Sequence, residues 1–147
     1  MRRTLALLIL LAAALPAAVW GDGPSVQASK IWIREGAPGV TVLGGYLSLA
    51  NLTAKPLQLT AVSSPDFDSV EMHRSFVKDG MESMEPVPAV DIPAHGSVDF
   101  KPGGFHLMLM QPKKNLFAGD MVTLMLTFSD KSELAIMAPV RRDPPLR

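Results

Sequence analysis

The stretch GGFHLMLM, residues 103–110, alternates two kinds of side chain. Successive side chains of an extended strand point to opposite faces, so three apolar residues share one face: Phe105, Leu107 and Leu109. This pattern predicts a β-strand with one face packed on a core. The opposite face, where hydroxyl or charged residues are usual, carries a histidine and two thioethers: His106, Met108 and Met110. The second face is therefore the place to look for a function.

Prolines and glycines, 13 and 11 of them, divide the rest of the chain into short apolar or alternating runs. Turn sequences such as KDG and KPGG separate these runs, and no run keeps a helical period for long. Strands are predicted at residues 27–34, 44–51, 57–63, 69–77, 81–85, 97–101, 105–110, 121–129 and 133–138. Several short strands at this spacing predict a single all-β domain, a sandwich or Greek-key barrel, over residues 22–140.

The first 21 residues have the three-part layout of a secretory signal peptide. Two arginines follow the initiator, an apolar run from Leu5 to Leu15 comes next, and small residues end the segment. The run is too short for a membrane span, and the alternative interpretation is an uncleaved N-terminal anchor. Removal of residues 1–21 is expected to leave an exported periplasmic protein that is soluble and not inserted in a membrane. Residues 141–147, RRDPPLR, are predicted to form a flexible tail.

Charge and cysteine content exclude several classes of function. The whole chain has 14 basic and 14 acidic residues, and loss of the two arginines in residues 1–21 leaves 12 basic and 14 acidic. A slightly acidic chain without a basic stripe argues against a nucleic acid partner. The chain has no cysteine, which excludes a blue-copper site, a cysteine-bearing zinc site and an iron–sulfur cluster.

Further soft metal donors come from the segment before residues 103–110. In SVEMHRSFV, alternation puts His73 on the outer face with Glu71 and turns Met72 toward the core. After the turn KDG, the segment MESMEP supplies Met81 and Met84, which are rivals for one ligand position on chemistry alone. Two neighbouring parts of the chain thus carry a group of histidine and methionine donors.

These donors suit copper, and cuprous copper in particular. A thioether is a neutral, polarisable ligand that prefers Cu(I) to hard ions, and imidazole binds either copper valence. His106 and Met108, two positions apart on a strand, project from the same face and can hold one ion between them. His73 and one methionine of residues 81–84 can complete a neutral ligand set, which buries little charge. Met110 is a further thioether on the same face.

The other methionines and the third histidine have simpler explanations. A lone methionine in a strand is usually core filler, and four of them are interpreted as packing: Met72, Met121, Met125 and Met137. His95, in the turn IPAHGS, is interpreted as a solvated loop residue.

The spacing of the candidate ligands resembles a known motif. From His73 through Met84 to His106 and Met108 the sequence reads H-x10-M-x21-H-x-M, as in the periplasmic copper chaperone family PCuAC. The flanking sequences EMH and KPGGFHLMLM are similar to those of the family. The resemblance covers most of the chain after residue 21.

The resemblance implies a cupredoxin-like Greek-key β-sandwich that binds Cu(I) through two histidines and two methionines. Carried over by position, the ligands are His73, Met84, His106 and Met108. The resemblance also implies delivery of copper to an acceptor protein, such as the binuclear copper centre of cytochrome c oxidase or another copper chaperone. The protein is expected to be a monomer.

Three other functions compete with copper delivery. A metal-free, methionine-rich interaction domain would surround its methionines with apolar residues, but charged residues lie around Met81 and Met84 in the sequence. These charged residues are also candidates for the rim on which an acceptor docks: Glu71, Arg74, Lys78, Asp79 and Glu82. An enzyme is not expected, because the sequence shows no nucleophile or hydrolytic metal signature. Copper storage or sequestration would use the same ligands as delivery and stays open.

Overall fold

The structure, a computed structural model, describes residues 25–145, and this part of the chain contains ten β-strands. They are β1 (Val26–Arg34), β2 (Val42–Asn51), β3 (Leu57–Ser63), β4 (Phe67–Lys78), β5 (Met81–Pro86), β6 (Val90–Ile92), β7 (Ser97–Phe100), β8 (Phe105–Pro112), β9 (Met121–Phe128) and β10 (Glu133–Arg141). Every predicted strand is present. The sequence pattern misses β6, because three residues are too few to show alternation. The predicted signal peptide lies outside the described residues.

The strands form two largely antiparallel sheets that are joined along one edge. The first sheet has the order β5-β4-β8-β7-β2-β1, with an additional pairing of β8 and β2, and the second has the order β10-β9-β3-β6. β1 pairs in parallel with β10 and so links the two sheets. Residues 25–145 contain no helix, and hence none long and apolar enough to cross a membrane. The predicted all-β fold is confirmed.

Alternating side chains from both sheets build one core. In β8, Leu107 and Leu109 are fully buried, as the pattern predicts, and each such burial stabilises the fold by about 1.5–3 kcal/mol. Phe105 lies at the margin of this face, half-buried, with its ring centroid 5.8 Å from that of Phe100. Met72 is buried in the core, as predicted.

Two methionines interpreted as packing lie on the surface instead. Met121 on β9 is 46% exposed and Met137 on β10 is 51% exposed, while Met125 is half-buried. The core side of β9 is already filled by the residues of the other parity: Val122, Leu124, Leu126 and Phe128. The prediction of core packing is therefore wrong for Met121 and Met137.

A two-residue turn fixes how β5 lies against β4. Lys78 pairs with Met81, and the two residues between them, Asp79 and Gly80, have φ angles of 53° and 76°. Two successive residues with positive φ are typical of the type I′ turn, whose twist matches that of the flanking strands. The register set by this turn decides which methionine of β5 faces the candidate ligands on β4.

The first residues of the predicted tail continue the fold. β10 runs to Arg141, and Nε of Arg142 donates a 2.7 Å hydrogen bond to Oε2 of Glu35, just after β1. The backbone N–H of Ala118 also donates to Glu35, and together with Arg142 it lowers the pKa of that carboxyl. The flexibility of residues 141–147 stays a prediction.

Candidate metal-binding site

Two histidines face each other across β4 and β8. His73 pairs in register with His106, and the centroids of their rings are 5.9 Å apart. Directly opposed residues of antiparallel strands project from the same face, here the face of the first sheet turned away from the core. Although they lie on this outer face, His73 and His106 are only 9% and 8% exposed. Two nearly buried imidazoles thus lie side by side.

The two predicted methionine ligands lie on the same face as the histidines. Met108 follows His106 by two positions on β8. Met84 pairs with Ser75, which follows His73 by two positions on β4. Because side chains two positions apart in a strand share a face, all four candidate ligands project from one side of the sheet.

The register separates the two rival methionines of β5. Met81 pairs with Lys78, which stands an odd number of positions from His73, so Met81 projects from the opposite face. Both methionines are well exposed, Met81 at 68% and Met84 at 56%. Orientation rather than exposure therefore favours Met84 as the partner of the histidines.

Three of the four candidate ligands line one open pocket of about 260 Å³: Met84, His106 and Met108. His73 does not line this pocket and is connected to it through its pairing with His106. The structure therefore brings three predicted ligands around a common space and places the fourth beside one of them.

The ring nitrogens of His73 have unequal surroundings. Nε2 donates a 2.8 Å hydrogen bond to the carboxylate of Glu71, two positions earlier on the same face. Nδ1 is buried, and among the described residues it has no hydrogen-bond partner. In the neutral ring, the proton on Nε2 leaves a lone pair on Nδ1. A buried lone pair without a donor is suited to a cation.

The turn before β8 likewise determines which ring nitrogen of His106 carries the proton. Nδ1 of His106 donates to the carbonyl oxygen of Gly104 at 3.0 Å, and a carbonyl can only accept. The neutral ring therefore keeps its lone pair on Nε2. In metal sites, a hydrogen bond from the second ring nitrogen commonly sets the tautomer and orientation of a histidine ligand.

The pocket is also lined by residues that were not predicted from the sequence, among them Gly44 and Tyr46 on β2. Gly44 pairs with Met108. A Cβ atom at Gly44 would lie 2.8 Å from the hydroxyl oxygen of Tyr46, so this hydroxyl occupies the place of the missing side chain. The available signal was the glycine pair Gly44–Gly45 at the start of the predicted strand 44–51, since glycine within a strand often marks a close approach.

The charged residues predicted to form a docking rim divide between the two faces. Glu71 and Glu82 lie on the face of the candidate ligands. Arg74 lies on the opposite face, where its Nη2 is 2.6 Å from Oε1 of Glu85, and Lys78 shares that face. The two residues of the predicted rim that share the face of the candidate ligands, Glu71 and Glu82, are therefore both acidic.

The remaining candidates lie outside the pocket. Met110 shares the face of Met108 but does not line the pocket. His95 is exposed in a turn, with a φ of 52°, as expected for a loop residue. Within residues 25–145, no three histidine or acidic side chains lie close enough together to hold a metal ion by themselves. The donors at the pocket are therefore a mixture of imidazole and thioether.

The sequence profile of the LpqE-like lipoproteins matches residues 26–140. The chain belongs to the LpqE-like family. A relative of this LpqE-like chain in Leifsonia xyli subsp. xyli, named "Putative lipoprotein Lxx21020", is 31% identical to it over 131 residues. That alignment covers 86% of the LpqE-like chain and 78% of the relative.

Solved structures share the fold of the LpqE-like chain. The copper-bound PCuAC domain from PmoF2 has a TM-score of 0.69 and 26% identity, with 82% of this chain and 95% of that domain covered. The solution structure of CuI-DR1885 from Deinococcus radiodurans has a TM-score of 0.63 and 28% identity, with 90% and 83% covered. These similarities confirm the cupredoxin-like β fold, and the first supports the resemblance of the LpqE-like chain to PCuAC.

Proposed function

We propose that this protein is a periplasmic copper chaperone that binds Cu(I) through His73, Met84, His106 and Met108. The observation that supports this most is the register that puts the pair His73–His106 and both methionines on one face of the sheet. Two imidazoles and two thioethers form a neutral set of soft and borderline donors, which suits a monovalent soft cation.

The hydrogen bonds of the histidines support the same assignment. His73 has a buried Nδ1 without a partner among the described residues, and the bond from His106 to Gly104 leaves a lone pair on Nε2. Each ring therefore has one nitrogen held by the protein and one that can bind a metal. This is the usual arrangement of histidine ligands in metal sites.

The similar solved structures add independent support. One is a copper-bound PCuAC domain and another is a Cu(I) form, and their similarity to this chain extends over most of its length. We propose that the protein shares their metal but catalyses no reaction.

We propose that the protein transfers its Cu(I) to an acceptor protein that binds copper more tightly. The binuclear copper centre of cytochrome c oxidase and a second copper chaperone are the proposed acceptors. The protein is proposed to act after export, as a monomer, with the face that carries Glu71 and Glu82 as the docking surface.

An anaerobic titration of the mature protein with Cu(I) against a competing chelator tests the site. We expect one tightly bound ion per chain. Replacement of His106 by alanine or of Met108 by leucine should weaken binding by about 100-fold or more, since loss of an outer-shell partner alone can cost that much. The matched control is His95→Ala, which removes an exposed histidine from a turn and should leave the affinity unchanged. Undiminished binding in both ligand variants would show that the site is elsewhere.

A further inference from the structure

Trp32 on β1 is nearly buried although its side chain lies on a face turned away from the core. Trp32 pairs in register with Tyr46 on β2. Tyr46 follows Gly44, the partner of Met108, by two positions. Trp32 and Tyr46 therefore share the outer face with the candidate ligands. Trp32 is nevertheless only 4% exposed, so its ring is covered by residues outside the core.

A β-bulge in β1 turns Trp32 to this face. Between Ser29 and Trp32, two residues of β1 lie opposite a single residue of β2. The extra residue changes the alternation, so Ile33 points into the core, where it is fully buried, and Trp32 points outward. Lys30, within the bulge, has a φ of 49°, which residues other than glycine seldom adopt. Bulges often re-aim a side chain beside a functional site.

The C-terminal segment lies against Trp32. β10 ends beside β1, and the ion pair of Arg142 with Glu35 holds the chain there. The next residues, Pro144–Pro145, line a groove of about 260 Å³ together with Trp32 and Tyr46. The groove formed by Trp32, Tyr46 and their neighbours on the outer face is called the aromatic groove below. Its occupant in the structure is thus a pair of prolines from the same chain.

The aromatic groove has the features of a site for a polyproline segment. The ring centroids of Trp32 and Tyr46 are 4.8 Å apart, and the two ring planes are tilted by 32°. Successive prolines favour the extended polyproline II conformation, whose backbone makes no internal hydrogen bonds. Such segments dock in aromatic-lined grooves at low entropic cost, because their conformation is formed in advance. The indole N–H of a tryptophan can donate to their unpaired carbonyl oxygens.

The charges of the groove indicate what should stand beside the prolines. Lys30 and Lys101 both line the groove. Asp99 also lines it, and its carboxylate accepts a 2.6 Å hydrogen bond from the hydroxyl of Ser48. The two ammonium groups favour a carboxylate next to the bound prolines. In this chain an aspartate, Asp143, directly precedes the two prolines.

We propose that the aromatic groove binds an extended segment of a partner protein in which an acidic residue precedes two prolines. Without the partner, the chain's own Pro144–Pro145 occupies the groove, and the partner segment displaces it. Tyr46 and Pro102 line both the aromatic groove and the candidate metal pocket. A bound segment therefore holds its protein next to that pocket. The proposal does not depend on the histidine site being correct.

The fluorescence of Trp32 tests whether the prolines cover the groove. The chain has two tryptophans, Trp20 and Trp32, and the mature protein keeps only Trp32. In the metal-free double variant Pro144→Ala, Pro145→Ala, emission should shift to longer wavelength and acrylamide should quench it more strongly, because water reaches the indole. The matched control is Pro88→Ala, which changes an exposed proline outside the groove and should alter neither property. Unchanged emission and quenching in the double variant, with its circular dichroism preserved, would overturn the proposal.

A peptide of residues 143–147, DPPLR, tests recognition of a separate segment. Added to the double variant, it should return the emission of Trp32 to shorter wavelength. It should bind the unsubstituted mature protein about 10-fold more weakly, as expected if the groove is free about a tenth of the time. The control peptide DAALR should bind neither protein. Equal binding of the two peptides, or no binding of DPPLR to the double variant, would overturn the proposal.

Two further measurements separate this proposal from its alternatives. A change of Trp32 emission with protein concentration, in the absence of peptide, would show that a second copy fills the groove and would overturn the partner segment. His106→Ala tests the proposed copper site and changes no residue that lines the aromatic groove. This variant should keep the full response to DPPLR, so the copper site and the groove can fail separately.

Discussion

The carboxylate of Glu71 accepts a hydrogen bond of 2.8 Å from Nε2 of His73, two positions along the same strand. The side chain of Glu71 is half exposed, whereas His73 is nearly buried. The exposed Glu71 therefore keeps the proton of the neutral His73 ring on Nε2, so that the lone pair is on Nδ1. A carboxylate behind a histidine ligand also makes the imidazole a stronger donor.

Replacement of Glu71 by glutamine should weaken Cu(I) binding by about 10-fold to 100-fold, the usual effect of losing such a partner. The variant removes one negative charge near the site, so a control with the same change of charge is needed. Glu82→Gln provides it, because Glu82 lies on the same face but pairs with Val77 and not with a histidine. Equal affinities of the two variants would show that only the charge matters.

Met84→Leu and Met81→Leu form a matched pair on one strand. Both remove an exposed thioether from β5, but only Met84 projects toward the histidines. We expect Met84→Leu to weaken Cu(I) binding by about 10-fold or more and Met81→Leu to have no effect, as measured by chelator competition. A larger effect of Met81→Leu would mean that β5 has a different register in solution.

Oxidation of the methionines gives a test without mutation. A sulfoxide is polar and hard, so it binds Cu(I) poorly. Mild peroxide treatment of the apo protein should reduce Cu(I) binding while the circular dichroism of the sandwich is preserved. Prior loading with copper should protect Met84 and Met108 in peptide mass mapping. Met81, exposed on the other face, should oxidise equally in both samples.

Copper should move from this protein to an acceptor that has cysteine thiolates. Neutral donors hold Cu(I) without the additional attraction of a negative charge, so a reduced apo binuclear copper domain should take the ion at equilibrium. Glu71 and Glu82, on the face of the proposed ligands, should favour a basic partner, and high salt should slow the transfer. Separation of the two proteins after mixing measures the distribution of copper. Retention by this protein would favour storage over delivery.

Alternation predicted the fold well where a strand is long enough to display it. The faces of Leu107 and Met108 were correct, because one side of β8 must be apolar to fill the core. The three residues of β6 show no such pattern. Met121 and Met137 lie on the outer face, where alternation along β9 and β10 puts them. They were predicted to be buried only because methionine is usually a core residue.

The candidate site was predictable in composition and less so in detail. Spacing alone suggested the grouping of His73 with His106, but not their near burial on an outer face. The hydrogen bond from His106 to Gly104 depends on the path of the turn before β8. The place of the Tyr46 hydroxyl above Gly44 is a three-dimensional contact that no one-dimensional pattern encodes.

The position of β5 at the edge of the sheet should give the four proposed ligands different lifetimes on the metal. β5 is the outermost strand of the first sheet and pairs on one side only, whereas β4 and β8 have neighbours on both sides. An edge strand opens at a lower free energy than an interior one. Met84 should therefore dissociate first and leave the ion held by the two histidines and Met108, with one coordination position open to an incoming thiolate. We therefore expect the rate of copper release to depend on how easily the β4–β5 hairpin frays.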